Sequence, residues 1–515
     1  MSVRRVRRMT SDHLHPDHPR VLIHARGTMT PDETAFWNAL RAGLNEHGLE
    51  LMLIAHHRPK GDVAVPVLRV HNGLDVARPP DRTQGWQPWL AQQVEPIDEA
   101  PLLERERLWR GPETSPEQRE NRRRALYWFR AFYAEALRIA RPVLTLIWNG
   151  HHAQEMLLDT LCRECRCPVA YIERGPFRGT IQVDTDGVLG GSRIASLAAW
   201  DPPEPKQAAR WLESMRAIEQ DYRSTQTTWW EQPESLGADA VRRRLGIRPE
   251  RRVLLFAGQV DEDVQNLLYA PEYPHNLAAF KAFCDLLRGR NDIYILGKHH
   301  PKSRRAPAEY DAVLGSDGCW ASDLSLADCL AVADRVAAVN STVLYEALML
   351  EKPVLAMGRN LLSGKGIAYE LAGRPPENEQ IQDWLNAEDF SSRLDRWREF
   401  GAFLLANALY ATSQAGALRQ TRGARELAAD LAEMAPATQT TPEWGKLPAA
   451  GPPFLDDIGL IEDAREQSRT LYSDVRACLD TLGLQNRSLR FLASTPGLKN
   501  LLRLRMLWRR ITAKD

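Results

Sequence analysis

The chain has 515 residues, and its 67 basic side chains are balanced by 67 acidic ones. This balance gives no electrostatic preference for nucleic acid, and the absence of any run of about eighteen apolar residues excludes a membrane-spanning segment. The basic N-terminus lacks a following apolar stretch and the seven cysteines are an odd number, so we expect a cytoplasmic protein with reduced thiols.

The N-terminal part of the chain alternates apolar runs of strand type with helical patterns. Residues 1–20 are polar and rich in histidine and proline, so they are expected to be flexible. Runs at Val143–Trp148 and Val169–Ile172 flank a helical pattern and predict a parallel βαβ unit. Residues 59–116 lack clear periodicity and are predicted to form loops and short elements. We therefore predict a Rossmann-like domain over residues 21–228.

Three cysteines in this domain, Cys162, Cys165 and Cys167, are close enough in sequence to suggest a metal site. Their spacing, however, straddles the end of a helix and the start of a strand, and no second group of ligands follows. The pattern therefore favours buried thiols, and no metal is predicted.

The strand and helix alternation is repeated over residues 229–380, which predicts a second Rossmann-like domain. Residues 381–435 are predicted to be a helical return segment, and 436–453, rich in Pro, Thr and Ala, a linker. Residues 454–515 are predicted to form C-terminal helices. The predicted fold class is α/β, with two parallel-sheet domains facing a cleft and a helical C-terminal extension.

Polar side chains follow three predicted strands of the second domain. They are Gln259, Asp261 and Asp263 after the first strand, Lys298 and His300 after the second, and Asn340, Ser341 and Thr342 after the third. The last group separates the strand Arg335–Val339 from the helix Val343–Leu350, whose first N–H groups can receive an anion. Most such turns only cap a helix. Several polar strand ends together favour a site for the phosphates of a nucleotide.

The residue types at these strand ends suit binding and group transfer. Lys298 and His300 can neutralise phosphate charge, and Glu346 can accept hydrogen bonds from ribose hydroxyls. Glu173 and Asp263, from opposite domains, can act as acid/base and nucleophile. Each also has an ordinary explanation, namely a helix cap, an ion pair or a surface position, and only their joint occurrence favours a site. The chain has no GxGxxG or Walker lysine loop.

The chain also carries five longer motifs between Val143 and Tyr369. They read YIERGPFRG, DTDGVLGGS, LLFAGQVDED, LGKHHPKS and VNSTVLYEALMLEKPVLAMG. In this order and spacing they resemble the bacterial capsule polysaccharide synthesis proteins of the KpsS/KpsC type, which are β-Kdo glycosyltransferases of GT-B fold. The resemblance implies CMP-Kdo as the nucleotide-sugar donor, a lipid-linked or glycan acceptor, an acceptor-side first domain and retention of configuration.

The resemblance also assigns roles to residues at matching positions. It implies that Asp263 is the nucleophile and Glu173 the acid/base. His300, Ser341 and Thr342 would bind the nucleotide phosphate, with the other strand-end groups in the donor site. Asp261 is grouped with the catalytic carboxylates. Asp261-Glu262-Asp263 also imitates the DxD metal motif of another glycosyltransferase fold. In a GT-B setting the basic side chains stabilise the leaving phosphate, so no metal or other cofactor is expected.

Two alternatives remain open from the sequence. A CDP-glycerol or teichoic-acid type phosphotransferase has a similar architecture and also uses a His-Pro element and a Ser/Thr-Glu helix, but it makes a phosphodiester. A non-catalytic scaffold in a capsule assembly complex would bind a nucleotide without turnover.

The C-terminal segment 487–515 interleaves basic and apolar residues, and Asp515 is its single acid. Such a helix can lie on an anionic membrane surface, which would place the protein peripherally at the inner face of the cytoplasmic membrane. Docking on the protein's own surface explains the pattern equally well.

Overall fold

The computed structural model describes eleven segments of the chain. They are residues 19–25, 31–55, 65–69, 97–200, 205–225, 232–261, 263–315, 318–371, 378–413, 416–435 and 442–448. The predictions for residues 454–515, including the membrane-surface helix, lie outside these segments, as does nearly all of the predicted flexible N-terminus. Within them, no helix is both long enough and apolar enough to cross a membrane.

The first domain is built on a seven-stranded sheet in the order β13-β6-β5-β4-β1-β2-β3. Its strands are β1 (Arg20–Ala25), β2 (Glu50–Ala55), β3 (Val67–Arg69), β4 (Pro142–Trp148), β5 (Val169–Arg174), β6 (Thr180–Asp184) and β13 (Leu409–Ala411). β1, β2, β4 and β5 pair in parallel as predicted, and β3 joins them from the segment predicted to form loops and short elements. At the other edge β6 is antiparallel to β5, and β13 is antiparallel to β6. Strand β6, in a Gly-rich and polar stretch, was not predicted.

Helices cover both faces of this sheet. They are α1 (Pro31–Glu46), α2 (Glu99–Arg110), α3 (Pro116–Ala140) and α4 (Ala153–Glu164). The short α5 (Arg193–Ser196) follows β6, and its Ile194 and Ala195 lie in the core of the second domain. Because both faces are covered, the strands are continuously apolar, and Val21, Leu22 and Ile23 of β1 are all fully buried. The three clustered cysteines lie in the core beneath α3 and α4, where the Cys167 thiol lies 3.4 Å from the Thr145 hydroxyl.

The second domain has a six-stranded, fully parallel sheet in the order β12-β11-β10-β7-β8-β9. Its strands are β7 (Arg252–Ala257), β8 (Ile293–Lys298), β9 (Gly318–Ala321), β10 (Arg335–Ala338), β11 (Val354–Ala356) and β12 (Tyr369–Glu370). Its helices are α6 (Pro205–Thr225), α7 (Ala238–Arg244), α8 (Val264–Tyr269), α9 (Asn276–Leu286), α10 (Pro307–Leu314), α11 (Leu326–Val332), α12 (Val343–Met349) and α13 (Asn378–Asn386). The predicted βαβ unit formed by β10, α12 and β11 is confirmed.

Helix α6 falls within the range predicted for the first domain but packs on the second. Its Met215 and Ile218 share a buried core with Val253 and Leu255 of β7. The chain therefore crosses between the domains before Pro205.

The C-terminal segment then returns to the first domain. Helix α14 (Phe390–Asn407) packs on α6, and α15 (Ala424–Met434) packs on α1, where Gly43 faces the Ala428 methyl group. The prediction of helix throughout this segment is wrong at Leu409–Ala411, which forms the edge strand β13. Three apolar residues are too few for periodicity to distinguish a strand from a helix.

Candidate active site

A cleft of about 290 Å³ lies where the carboxyl ends of the two sheets face each other. In the second sheet β10, β7 and β8 are neighbours, and the chain order reverses between β7 and β10. In the first sheet the order reverses between β1 and β4. The cleft therefore opens at the reversal of strand order in which doubly wound sheets bind ligands.

Seven of the residues singled out in the sequence line this cleft. They are Glu173 from the first domain and Asp263, Lys298, His300, Ser341, Thr342 and Glu346 from the second. Three others, Gln259, Asp261 and Asn340, are not among the lining residues. The structure thus brings the two proposed catalytic carboxylates and the proposed phosphate ligands into one space, while their roles remain predictions.

Glu173 is half-buried near the end of β5 and is held at both carboxylate oxygens. The Asn149 side chain donates to Oε2 at 2.7 Å, and the Arg174 backbone N–H donates to Oε1 at 2.8 Å. Asn149 has a positive φ of 64°, and Gly150 follows at 79° with the Tyr171 ring packed where a Cβ would be. This tight turn after β4 orients the carboxylate toward the cleft.

Asp263 is the N-cap of α8, and its Oδ1 accepts the Gln265 N–H at 2.9 Å. No hydrogen bond reaches its Oδ2 from the residues that the structure describes. The residue keeps contact with solvent through the open cleft. Its pKa is raised to about 6, mainly by desolvation between the cleft walls and further by the nearby charge of Glu173. Asp263 therefore caps a helix and also presents an oxygen for chemistry.

Gln259 and Asn340 serve to join loops. The Gln259 amide donates to Asn266 at 2.8 Å and to Asn340 at 2.9 Å, and it accepts the Asn340 backbone N–H at 3.0 Å. Asn340 also donates to the Gln265 carbonyl. These amides hydrogen-bond to each other and connect the start of α8 to the turn after β10. They therefore support the cleft residues Asp263 and Ser341 without lining the cleft themselves.

Asp261 also lies outside the cleft, which corrects its grouping with the catalytic carboxylates. One of its oxygens pairs with Arg305 at 2.6 Å, and the other accepts the Asn276 N–H at 2.7 Å at the start of α9. Both oxygens thus serve the fold. The DxD-like pattern does not gather ligands either, since no group of three or more His, Cys, Asp or Glu in the described segments is placed to hold a metal.

Lys298 ends β8 and is only 6% exposed, and burial lowers its pKa. No carboxylate in the described part of the chain lies within ion-pair distance of its ammonium group. An ammonium group that is buried without a partner is costly, and an anion bound in the cleft would offset that cost.

His300 accepts the Lys302 N–H at its Nδ1 at 3.1 Å. Burial, with the positive charges of His299, Lys298 and Lys302, lowers the pKa of His300 to about 4. The ring is therefore neutral at pH 7 and carries its proton on Nε2, since Nδ1 accepts. A neutral imidazole can donate a hydrogen bond to phosphate, and Lys298 supplies a positive charge in the same cleft. The phosphate-binding role of His300 remains a prediction.

The third strand end contributes hydroxyls and a buried acid. Ser341 Oγ accepts the Val343 N–H at 3.3 Å, and Thr342 begins the short helix α12. Glu346 accepts a 2.6 Å hydrogen bond from Tyr222 of α6 at Oε2, and burial raises its pKa to about 7. Tyr222 fixes the orientation of the carboxylate.

Several cleft residues were missed in the sequence. They are Asn149, Arg174 and Gln232, which line the cleft, and Tyr222, which supports Glu346. Asn149-Gly150 directly after a strand was a visible signal for a tight turn. The pairing of Tyr222 with a residue 124 positions away was not visible.

Two parallel α/β sheets facing a cleft, with a C-terminal return to the first sheet, define a GT-B-like protein. Residues 220–384 match the family described as "Capsule polysaccharide biosynthesis protein". The predicted resemblance to capsule polysaccharide synthesis proteins is confirmed over this segment, which contains β7 to β12.

Solved structures with some similarity include two of Thermosulfurimonas dismutans KpsC. The β-Kdo 2,7-transferase is 17% identical, covering 59% of this chain and 88% of its own, with a TM-score of 0.36. The β-Kdo 2,4-transferase is also 17% identical, and the match covers 47% of this chain and 79% of its own, with a TM-score of 0.33. S. aureus MnaA, solved with UDP, is 10% identical, and the match covers 76% of this chain and 95% of its own, with a TM-score of 0.33. These scores are low, so the fold assignment rests on the sheet topology. No curated protein sequence matches the chain.

Proposed function

We propose that this protein is a retaining glycosyltransferase of capsule-type polysaccharide synthesis that transfers a sugar, Kdo from CMP-Kdo, to a lipid-linked or glycan acceptor. The observation that carries the proposal is one cleft containing Glu173 and Asp263 from opposite domains beside Lys298, whose ammonium group has no carboxylate partner among the described residues. The resemblance to β-Kdo transferases supports the choice of donor.

The first step is displacement of the nucleotide by Asp263. Its Oδ2 attacks the anomeric carbon, and the bond from that carbon to the phosphate oxygen breaks. CMP leaves with the electron pair while a glycosyl ester forms on Asp263. The Gln265 N–H that holds Oδ1 orients the carboxylate for this attack.

In the second step the acceptor hydroxyl attacks the anomeric carbon from the opposite side. Glu173 takes the hydroxyl proton, and the ester bond breaks to restore the Asp263 carboxylate. Two inversions give net retention. Asn149 and the Arg174 N–H hold Glu173 in place for this transfer.

The donor phosphate would lie between the end of β8 and the turn after β10. Lys298 supplies the positive charge, His300 donates from Nε2, and Ser341 and Thr342 offer hydroxyls. Glu346 keeps Oε1 available for a ribose hydroxyl while Tyr222 occupies Oε2. The expectation that no metal is required follows from this charge arrangement.

A panel of CMP-, UDP-, GDP- and CDP-activated donors tests the function directly. The purified protein is incubated with each donor and an acceptor glycan, and nucleotide release and product linkage are measured. We expect CMP release from CMP-Kdo and a glycosidic product with retained configuration. Phosphodiester formation from a CDP donor would assign the phosphotransferase activity instead. Binding without release of any nucleotide would identify a scaffold.

His300→Ala should weaken CMP binding about tenfold, or about 1.4 kcal/mol. The neutral ring loses one hydrogen bond to phosphate but no charge, so the loss should be the same at pH 6 and pH 8. Isothermal titration calorimetry at both values measures it. Unchanged affinity would remove His300 from the phosphate site.

The acid side of the pH profile should reflect Asp263. The nucleophile must be ionised, and because burial raises the pKa of Asp263 to about 6, kcat/KM should fall below that pH. Glu346, with a pKa of about 7, should add a second titration to the kcat/KM profile. Glu346→Gln should remove that titration and leave the fall in kcat/KM near pH 6. A flat profile from pH 5 to 8 in this variant would contradict an ionised Asp263 nucleophile.

A further inference from the structure

We infer that Tyr269 is a positioning residue that sets the placement of Asp263 relative to Glu173 through its contact with His151 across the domain interface. The inference rests on the proposed function, in which these two carboxylates act on the same anomeric carbon. Neither Tyr269 nor His151 lines the cleft.

On the side of the second domain, Asp263 and Tyr269 are joined by the short helix α8. Asp263 is its N-cap and Tyr269 its last residue, and the Asn266 N–H donates to the Asp263 carbonyl. The Leu267 N–H also donates to the Asp263 carbonyl, and the Ala270 N–H donates to the Asn266 carbonyl, so backbone hydrogen bonds link the two ends of the helix. Displacement of the Tyr269 end therefore displaces the Asp263 carboxylate.

On the side of the first domain, His151 belongs to the turn that holds Glu173. Its backbone N–H donates to the Asn149 Oδ1 at 3.2 Å, and the same Asn149 amide donates to Glu173 at 2.7 Å. The turn thus transmits the position of His151 to the Glu173 carboxylate through one side chain.

The two sides meet where Tyr269 contacts His151. The Tyr269 hydroxyl lies 3.4 Å from His151 Nε2, and the two rings pack edge to face at 5.6 Å. Burial and the nearby positive charge of Arg105 lower the pKa of His151 to about 4. The ring is therefore neutral at working pH, which suits packing on an aromatic ring.

Tyr269 is also seated against a glycine turn of the first domain. A Cβ at Gly190 would lie 2.7 Å from the Tyr269 ring, and one at Gly191 would lie 2.1 Å from its hydroxyl. On the other side, the Arg359 N–H donates to the Tyr269 carbonyl, and the Arg359 side chain donates to Ser196. Tyr269 is thus held from both domains at a close approach that only glycine permits.

The consequence for transfer is geometric. Asp263 must reach the anomeric carbon from one face and Glu173 the acceptor hydroxyl from the other, so their relative position decides the rate. A misplacement of about 1 Å in such an arrangement costs up to about 100-fold in rate without changing ligand affinity. The Tyr269 contact is therefore expected to affect kcat and not donor binding.

The test compares Tyr269→Phe, Tyr269→Ala and His151→Ala with Tyr369→Phe as a matched control. This control removes a hydroxyl that donates a hydrogen bond to Asp389 at the β12 edge of the second sheet. Hydrogen–deuterium exchange needs no turnover. Tyr269→Ala should speed exchange both in peptides that cover residues 149–152 and in peptides that cover residues 264–270. Tyr369→Phe should change exchange in neither set. If the faster exchange in Tyr269→Ala is confined to residues 264–270, the inference is overturned, because the effect does not cross the domain interface.

The kinetic test then measures kcat and donor affinity separately. We expect Tyr269→Ala to lower kcat about 100-fold and Tyr269→Phe by less, with the dissociation constant of CMP within about twofold of the wild type. The double variant with His151→Ala should be no slower than the slower single variant, because both act through one contact. Unchanged kcat, or additive losses, would overturn the inference while leaving the proposed function standing. If the wild type transfers no sugar, the proposed function fails, and the exchange result alone decides the interface coupling.

Discussion

Asp263→Asn is expected to abolish sugar transfer while leaving CMP binding within about threefold of the wild type. The amide cannot form the glycosyl ester, and loss of a nucleophile in other enzymes lowers turnover by about four orders of magnitude or more. The helix cap should survive, because the Asn oxygen can still accept the Gln265 N–H. Nucleotide release and calorimetric titration with CMP measure the two quantities.

Asp261→Asn is the matched control for this experiment. It makes the same change two residues away, at a carboxylate held by Arg305 and the Asn276 N–H outside the cleft. We expect it to lower thermal stability and to retain most of the transfer activity. An active Asp263→Asn enzyme, or an inactive but stable Asp261→Asn enzyme, would reverse the assignment of the nucleophile.

Lys298→Met is expected to weaken CMP binding by about 10- to 100-fold, since charge-assisted hydrogen bonds contribute about 1.5–3 kcal/mol. The apo protein should be as stable as the wild type or more stable. The substitution removes a buried ammonium group that has no carboxylate partner in the described structure and keeps a similar volume. Calorimetry with CMP and a thermal melt without ligand measure both effects.

Lys352→Met is the matched control for Lys298→Met. Burial lowers the pKa of Lys352 as it does that of Lys298. The Lys352 ammonium group, however, lies outside the cleft and donates to the Ala333 carbonyl at 2.6 Å. It should lose stability and keep normal CMP affinity. If Lys298→Met lowers stability and leaves affinity unchanged, the Lys298 charge serves the fold and not the donor phosphate.

The parallel sheets were predictable because each strand is a short apolar run followed by a turn and a helix. The same pattern placed Lys298, His300 and the Asn340–Thr342 turn at one edge of the sheet, at the ends of the two strands that flank β7, since parallel strands present their carboxyl ends at one edge. Strand β13 and the crossing helix α6 were not predictable in the same way. The place of β13 depends on β6, more than two hundred residues away in the chain. The place of α6 depends on its packing against the core under β7, which its own apolar spacing does not identify.

Residue type alone also failed to separate scaffold from site. Asp261 and Asp263 lie two positions apart in one acidic loop, and only the location of Arg305 decides which carboxylate is occupied. Gln259 and Asn340 satisfy each other, which removes them from the lining although both follow strands. Such pairings are set by loop conformation, which periodicity does not encode.

The proposed transfer proceeds through a sugar ester on Asp263, which intact-protein mass spectrometry can detect as an added mass. Glu173→Gln should accumulate the ester, because the first step needs no base and the second lacks one. After incubation with CMP-Kdo alone, we expect this variant to gain the mass of one Kdo residue, mapped by peptide analysis to Asp263. The double variant with Asp263→Asn should gain none. An adduct on Asp261, or no adduct together with an inverted glycosidic product from the wild type, would contradict the account.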